Sequence, residues 1–114
     1  MTNNPTPIEI DVHSVKQLLD DQADMLLIDC REPSEYETAR IDQATLIPMA
    51  EIQYRLEEIE PYREKQIVIH CHHGGRSLRV TNYLRQSGFA HATNMAGGID
   101  QWSREIDPSI PRYK

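Results

Sequence analysis

Two thiols and five imidazoles are the reactive side chains of this 114-residue chain, and one short run gathers three of them. Cys71-His72-His73-Gly74-Gly75-Arg76 places a thiol, two imidazoles, a glycine pair and a guanidinium in six consecutive residues. Cysteine reacts and ligates as its thiolate, so the chemistry turns on what stabilises a negative charge on sulfur. Gly74 and Gly75 let the backbone turn its N–H groups inward as an anion-binding nest. Arg76 adds a permanent cation in fork geometry. A free cysteine titrates near pKa 8.5, and helix N-termini and neighbouring cations lower that to roughly 3.5–7.5. These residues point to a low-pKa thiolate at Cys71, in a cradle that would also hold the outer sulfur of a persulfide or the oxygens of an anionic donor.

Such a site needs elements that present the loop. Gln66-Ile67-Val68-Ile69-His70, just before Cys71, is the strongest strand signal in the sequence: β-branched, with charge before it and glycines after. Residues 76–86 read as a helix with Val80, Leu84 and Tyr83 facing inward, closed by Gly88 in the left-handed conformation. Cys71 thus falls at the carboxyl end of a strand, where open parallel sheets bind ligands. The positive end of the following helix faces the same loop.

The rest of the chain repeats the alternation. Residues 8–10 read as a short strand, and Asp11 as the N-cap of a helix with Val12, Val15, Leu18 and Leu19 on one face. Met25 to Ile28 read as a strand buried on both faces. Pro33 opens a short helix to about Thr38. Residues 44–47 read as a third strand, and Met49, Ile52, Leu56 and Ile59 place an amphipathic helix over 49–59, ended by Pro61. Residues 92–95 give a fifth strand. Gly97-Gly98 turn the chain into a last helix from Ile99 to about Glu105. Five strands alternating with helices predict an α/β fold: a three-layer α/β/α sandwich on a five-stranded, mostly parallel sheet. Residues 1–7 read as a frayed tail and 8–114 as a single domain.

Other polar residues have plainer readings. Asp29 and Arg31, at the same sheet edge, form a supporting ion pair that holds neighbouring loops, with a similar role for Glu35. His72 or His73 serves as a loop donor or a pH-dependent charge near the sulfur. No metal site is expected, because consecutive residues at a strand end point in different directions. His13 and His91 read as ordinary surface residues. Cys30 reads as a packed side chain, with a resolving cysteine for Cys71 as the sharper alternative. Trp102 packs the last helix.

Bulk properties narrow the function. The formal charge is −6, so counterion release gives no drive to bind nucleic acid. No apolar run approaches the length of about 18 residues needed to span a bilayer. The first residues lack the basic and apolar regions of a signal peptide, which leads to the expectation of a soluble cytoplasmic protein without membrane partners.

With these residues in view, the sequence resembles the rhodanese-like family, in particular its small single-domain sulfurtransferases. Three blocks carry the resemblance over about Ile8 to Pro111. Asp29-Cys30-Arg31-Glu32-Pro33-Ser34-Glu35-Tyr36 is similar to the family's Asp-x-Arg-x-x-x-Glu-aromatic segment. Cys71-His72-His73-Gly74-Gly75-Arg76-Ser77 is similar to its six-residue active-site loop. Met95-Ala96-Gly97-Gly98-Ile99-Asp100-Gln101-Trp102 is similar to its Leu-x-Gly-Gly-x-x-x-Trp close.

The resemblance implies a thiosulfate sulfurtransferase that works by ping-pong. Cys71 takes a sulfane sulfur from a donor such as thiosulfate, and the persulfide passes it to a thiophilic acceptor such as cyanide, a thiol or a protein thiol. It implies Arg76 as the group orienting the donor's oxygens, the loop amides of residues 72–76 as the persulfide cradle, Ser77 in support, and no cofactor. Two departures stand out. Ala39 to Ala44 lacks the glycines and histidine that relatives carry, and His72 and His73 stand where relatives often have an early arginine, which lowers the expected preference for thiosulfate.

Two other functions fit the same residues. Phosphatases and arsenate reductases place five residues between cysteine and arginine to admit a tetrahedral oxyanion. Here four residues intervene, a loop sized for sulfur. A persulfide carrier or interaction module without turnover would need the same cradle.

Overall fold

The computed structural model describes residues 6–114. Its strands are β1 (Glu9–Ile10), β2 (Met25–Asp29), β3 (Thr45–Leu46), β4 (Gln66–His70) and β5 (Ala92–Met95). Its α-helices are α1 (Val12–Asp20), α2 (Pro33–Thr38), α3 (Leu56–Ile59), α4 (Gly75–Gln86) and α5 (Gly98–Glu105). The strands form one sheet in the order β1-β5-β4-β2-β3, and every pairing is parallel.

The most β-branched segment takes the central position. Ile67, Val68 and Ile69 of β4 are wholly buried, as a strand covered on both faces must be. Register sets the two layers. Ile28 pairs with Ile69, and both join Val80 and Leu84 of α4, Ile52, Ile59 and Phe89 on one face. Leu27 pairs with Val68, and both join Val12 and Val15 of α1 and Ile99 and Trp102 of α5 on the other. The result is the expected α/β/α sandwich.

Local signals mark most boundaries. The Asp11 carboxylate accepts from the Ser14 N–H at 2.7 Å and caps α1. Glu32 and Glu35 form a capping box around Pro33 at the start of α2. Gly88 has φ of 99°, which ends α4.

Three expectations change. The single helix over 49–59 is instead a 3₁₀ segment (Met49–Tyr54), the short α3, and a second 3₁₀ turn (Glu60–Tyr62) containing Pro61. The chain resets at Arg55, whose φ and ψ of −125° and 23° leave the helical region. The apolar spacing of three and four residues served both outcomes, and Ile52 and Ile59 remain in the core. Tyr83 lies on the outside of α4, 37 % exposed, not inward. Thr6 and Pro7, expected to fray, are held: the Arg85 guanidinium donates to both carbonyls, and the Thr93 hydroxyl donates to that of Pro7. Residues 1–5 lie outside the described residues. No helix among the described residues is long and apolar enough to cross a membrane.

Candidate active site

The carboxyl ends of β2 and β4 lie side by side, with Asp29 in register with His70. The residues that follow, Cys30 and Cys71, therefore leave the sheet at one edge, and both belong to the core cluster beneath α4. Gly74, at φ of 116°, bends the chain from Cys71 into α4. That bend turns the first amides of α4 back onto the sulfur. The Gly74 N–H donates to Cys71 Sγ at 3.1 Å and the Ser77 N–H at 3.4 Å. The Ser77 hydroxyl stands 3.3 Å from the same sulfur.

Cys71 is only 1 % exposed. Burial pushes its thiol up, but hydrogen bonds from the Ser77 hydroxyl and from the N–H groups of Ser77, Gly74 and Arg76 outweigh it and leave the thiol below its ordinary value. The inward-facing amides expected from the glycine pair are present. Cys30 is the contrast: burial, then the neighbouring Cys71, push its thiol far up. It stays protonated, which disfavours it as a resolving nucleophile.

Arg76 makes a side-chain contact that its place in the loop does not announce. Its Nη1 and Nη2 donate to the two carboxylate oxygens of Glu35 at 2.7 and 2.9 Å. This bidentate pair holds the Glu35 carboxyl down at about 2, with the Tyr113 hydroxyl as a further donor. The guanidinium is thus committed to α2, and what Arg76 gives the sulfur directly is its backbone N–H.

Asp29 and Arg31 form the structural pair expected of them. Both are wholly buried, and Arg31 Nε and Nη2 donate to the two Asp29 oxygens at 2.9 and 2.6 Å. Arg31 also donates to the Ala39 carbonyl and the Tyr113 hydroxyl, which ties the loop lacking the family's glycines to β2.

The histidines separate. Desolvation in the core lowers the pKa of His70, and its Nε2 has no hydrogen-bond partner among the described residues. His72 stacks between His73 and Tyr113, each ring centroid 3.9 Å away, and desolvation lowers its pKa too. His73 is exposed, with Nε2 3.9 Å from Asp100. The two adjacent rings do not diverge. Together with Asp100 they bring potential metal-ligand atoms within 4.8 Å of one another, a convergence the sequence reading had discounted. Arg112 already holds both Asp100 oxygens, at 2.9 and 3.3 Å.

Two supporting residues, Asn94 and Tyr113, lie outside the site expected from the sequence, and a third, Gly98, expected to turn the chain, also packs against the loop. Asn94 lies wholly buried in β5, where its Oδ1 accepts from the Ser77 hydroxyl and its Nδ2 donates to the Gly74 carbonyl and to Glu9. An asparagine inside the expected strand, between Thr93 and Met95, was the available signal. Gly98 lies so close that a Cβ there would meet the carbonyls of His72 and Cys71 at 2.3 and 2.6 Å. Those carbonyls accept from the Asp100 and Ile99 N–H groups, so α5 braces the loop from behind. Tyr113, beyond the third sequence block, had no periodic pattern to mark it.

The rhodanese-like domain model matches residues 11–105. A sulfurtransferase of Allochromatium vinosum is 40 % identical over 102 residues, covering 90 % of this chain and 94 % of that protein. The adenylyltransferase and sulfurtransferase MOCS3-2 of Zea mays is 30 % identical over 96 % of this chain, which spans only 24 % of that longer protein. The crystal structure of a Staphylococcus saprophyticus protein superposes with a TM-score of 0.75 at 30 % identity, covering 92 % of this chain and 99 % of that one.

Proposed function

We propose, on the premise that this chain belongs to the rhodanese-like sulfurtransferase family, that Cys71 carries a sulfane sulfur from an anionic donor to a thiophilic acceptor. The observation that supports this most directly is the pair of main-chain N–H groups, from Gly74 and Ser77, aimed at Cys71 Sγ. They favour a charged sulfur whether it is the thiolate or, after loading, the persulfide.

With thiosulfate as donor, the Cys71 thiolate attacks the outer sulfur. The S–S bond of the donor breaks, sulfite leaves with the electron pair, and a Cys71–S–S⁻ anion remains. An acceptor thiolate or cyanide then attacks the outer sulfur. The Cys71 thiolate leaves, and the product is an acceptor persulfide or thiocyanate. The net reaction needs no outside oxidant or reductant. Gly74, Gly75 and the loop amides cradle the sulfur, Ser77 supports it, and Arg76 fixes the loop's shape through Glu35. With that guanidinium occupied, His73 is the exposed loop group able to meet the donor's oxygens.

Intact-mass measurement after thiosulfate exposure tests the reading. A gain of one sulfur atom in the native chain, absent in Cys71→Ser, is the expected result. No gain with any sulfane donor overturns it.

A second reading, a persulfide carrier that loads once and waits for a protein, draws on a specific observation. Cys71 is 1 % exposed and Arg76 is held by Glu35, an arrangement better suited to protecting a persulfide than to rapid exchange with small ions. Multiple turnovers with thiosulfate and a small thiol distinguish the enzyme from the carrier.

A further inference from the structure

Cationic side chains on this surface are nearly all paired. Arg40, Arg55, Arg63, Arg104, Arg112, Lys16 and Lys65 each meet a carboxylate. Arg31 does so in the core and Arg76 in a partly buried pair, and Arg85 donates to three carbonyls. Arg79 alone among the arginines has no carboxylate or acceptor among the described residues. It stands near the N-terminal end of α4, where the helix dipole offers a cation nothing.

Arg79 rims a groove of about 340 Å³ between α4 and the 3₁₀ segment Met49–Tyr54. Met49, Ile52, Val80 and Tyr83 line it, and Gln53 shares the rim. Tyr83 and Tyr54, the residue after Gln53, are two of the three large hydrophobics left exposed among the described residues, at 37 % and 77 %. The groove and the reactive loop share α4, which begins at Gly75 and carries Arg79, Val80 and Tyr83 along the groove. The Met49 N–H donates to the Cys30 carbonyl at the sheet edge, and Val80 shares a core cluster with Cys71. Arg79 follows Gly75, the first residue of α4, by four residues, about 6 Å along a helix axis.

We propose that this groove docks a sulfur-accepting protein through a segment that lays apolar side chains against Met49 and Tyr83 and a carboxylate on Arg79. The proposal rests on the sulfur-transfer reading and adds the kind of acceptor. Charge selects the partner. The chain carries a net −6, so an acidic segment finds favourable contact only where an unneutralised cation faces it. Arg79 thereby fixes both place and orientation, and Cys71, buried within its loop, receives a thiol held at close range instead of one diffusing freely. Docking changes no bond. The persulfide's outer sulfur passes to the partner's thiolate as described above.

The test uses three synthetic peptides. One joins an N-terminal cysteine through Gly-Gly to Leu-Glu-Leu-Asp; the second replaces the acids by Gln and Asn; the third is the acidic peptide with Ser in place of Cys. Persulfide-loaded protein is expected to pass sulfur to the acidic peptide about fivefold faster than to the neutral one, the scale of an exposed ion pair. Arg79→Ala should erase that ratio and Arg79→Glu invert it, with transfer to 2-mercaptoethanol unchanged in both. The serine peptide should perturb amide resonances of Met49, Arg79 and Tyr83 in the native chain and not in Arg79→Glu. That binding readout stands even if Cys71 never accepts sulfur, which would overturn the catalytic reading alone. Equal transfer to both cysteine peptides, an acidic preference that survives Arg79→Ala, or self-association that covers Arg79 overturns the docking proposal.

Discussion

Arg76 and Glu35 lie face to face across the gap between α4 and α2, joined by two hydrogen bonds of 2.7 and 2.9 Å. The cation that the sequence placed beside the sulfur is neutralised by a carboxylate 41 residues earlier in the chain. Cys71 therefore draws its charge stabilisation from the Ser77 hydroxyl and from N–H dipoles, and the ion pair's task is to hold the loop that carries them.

Glu35→Gln tests this division of work. Losing a bidentate, partly buried pair is expected to cost about 1–2 kcal/mol. It also releases the guanidinium toward solvent and donor, so the KM for thiosulfate should fall severalfold. The pH dependence has a definite sign. The Glu35 carboxyl is held at about 2 in the folded chain against 4.5 ordinarily, so its stabilisation is present above pH 4.5 and lost as pH falls toward 2. Urea unfolding between pH 5 and pH 2 should show the native chain losing its advantage over Glu35→Gln in that window.

Ser77→Ala removes one of the donors at the sulfur. The hydroxyl has a single hydrogen and is shared with the Asn94 amide oxygen and the Gly74 carbonyl, so the two amides remain the constant donors. The alkylation midpoint of Cys71 should move upward toward the ordinary thiol value, read from iodoacetamide rates across pH. Loading by thiosulfate should slow by about tenfold, the effect of one hydrogen bond to a charged group.

Two glycine substitutions should part company. Gly98→Ala sets a Cβ within 2.6 Å of two loop carbonyls at a φ of 60°, and backbone atoms have little room to move. A loss of about 3 kcal/mol or more is expected, with loading abolished. Gly75→Ala meets nothing within 4 Å at the first position of α4 and should be neutral or stabilising by about 0.5 kcal/mol. Thermal denaturation of both variants gives the comparison.

Cys30→Ala separates packing from redox chemistry. The side chain is buried in the core cluster with Cys71, so its truncation should cost about 1–2 kcal/mol. Sulfur transfer should stay within about twofold of the native rate, since a thiol held protonated is a poor nucleophile. Accumulation of a Cys30–Cys71 disulfide during turnover of the native chain, detected by mass, would count the other way.

The parts of this fold written in local chemistry were readable before any coordinates. The β-branched run of β4, the Asp11 cap and Gly88 each carry their own physical reason within a few residues. The thiol and its glycine-pair cradle were legible for the same cause. What stayed hidden depends on distance in the chain. Nothing near Arg76 announces that Glu35 will claim it, and nothing near His72 announces the ring of Tyr113. The break at Arg55 was hidden differently, because Met49, Ile52, Leu56 and Ile59 bury the same way in one helix or in three short pieces.

The loop's braces also impose an order of events on a newly made chain. Asn94, which ties the Gly74 carbonyl and the Ser77 hydroxyl together, and Gly98, whose helix receives the carbonyls of Cys71 and His72, both come after the thiol in sequence. Glu9 of β1, made first, also waits for Asn94 before it has a partner. Until β5 docks, Cys71 is an unremarkable cysteine on an incomplete sheet. The lowering of its thiol pKa therefore belongs to the completed sheet and not to the loop sequence alone.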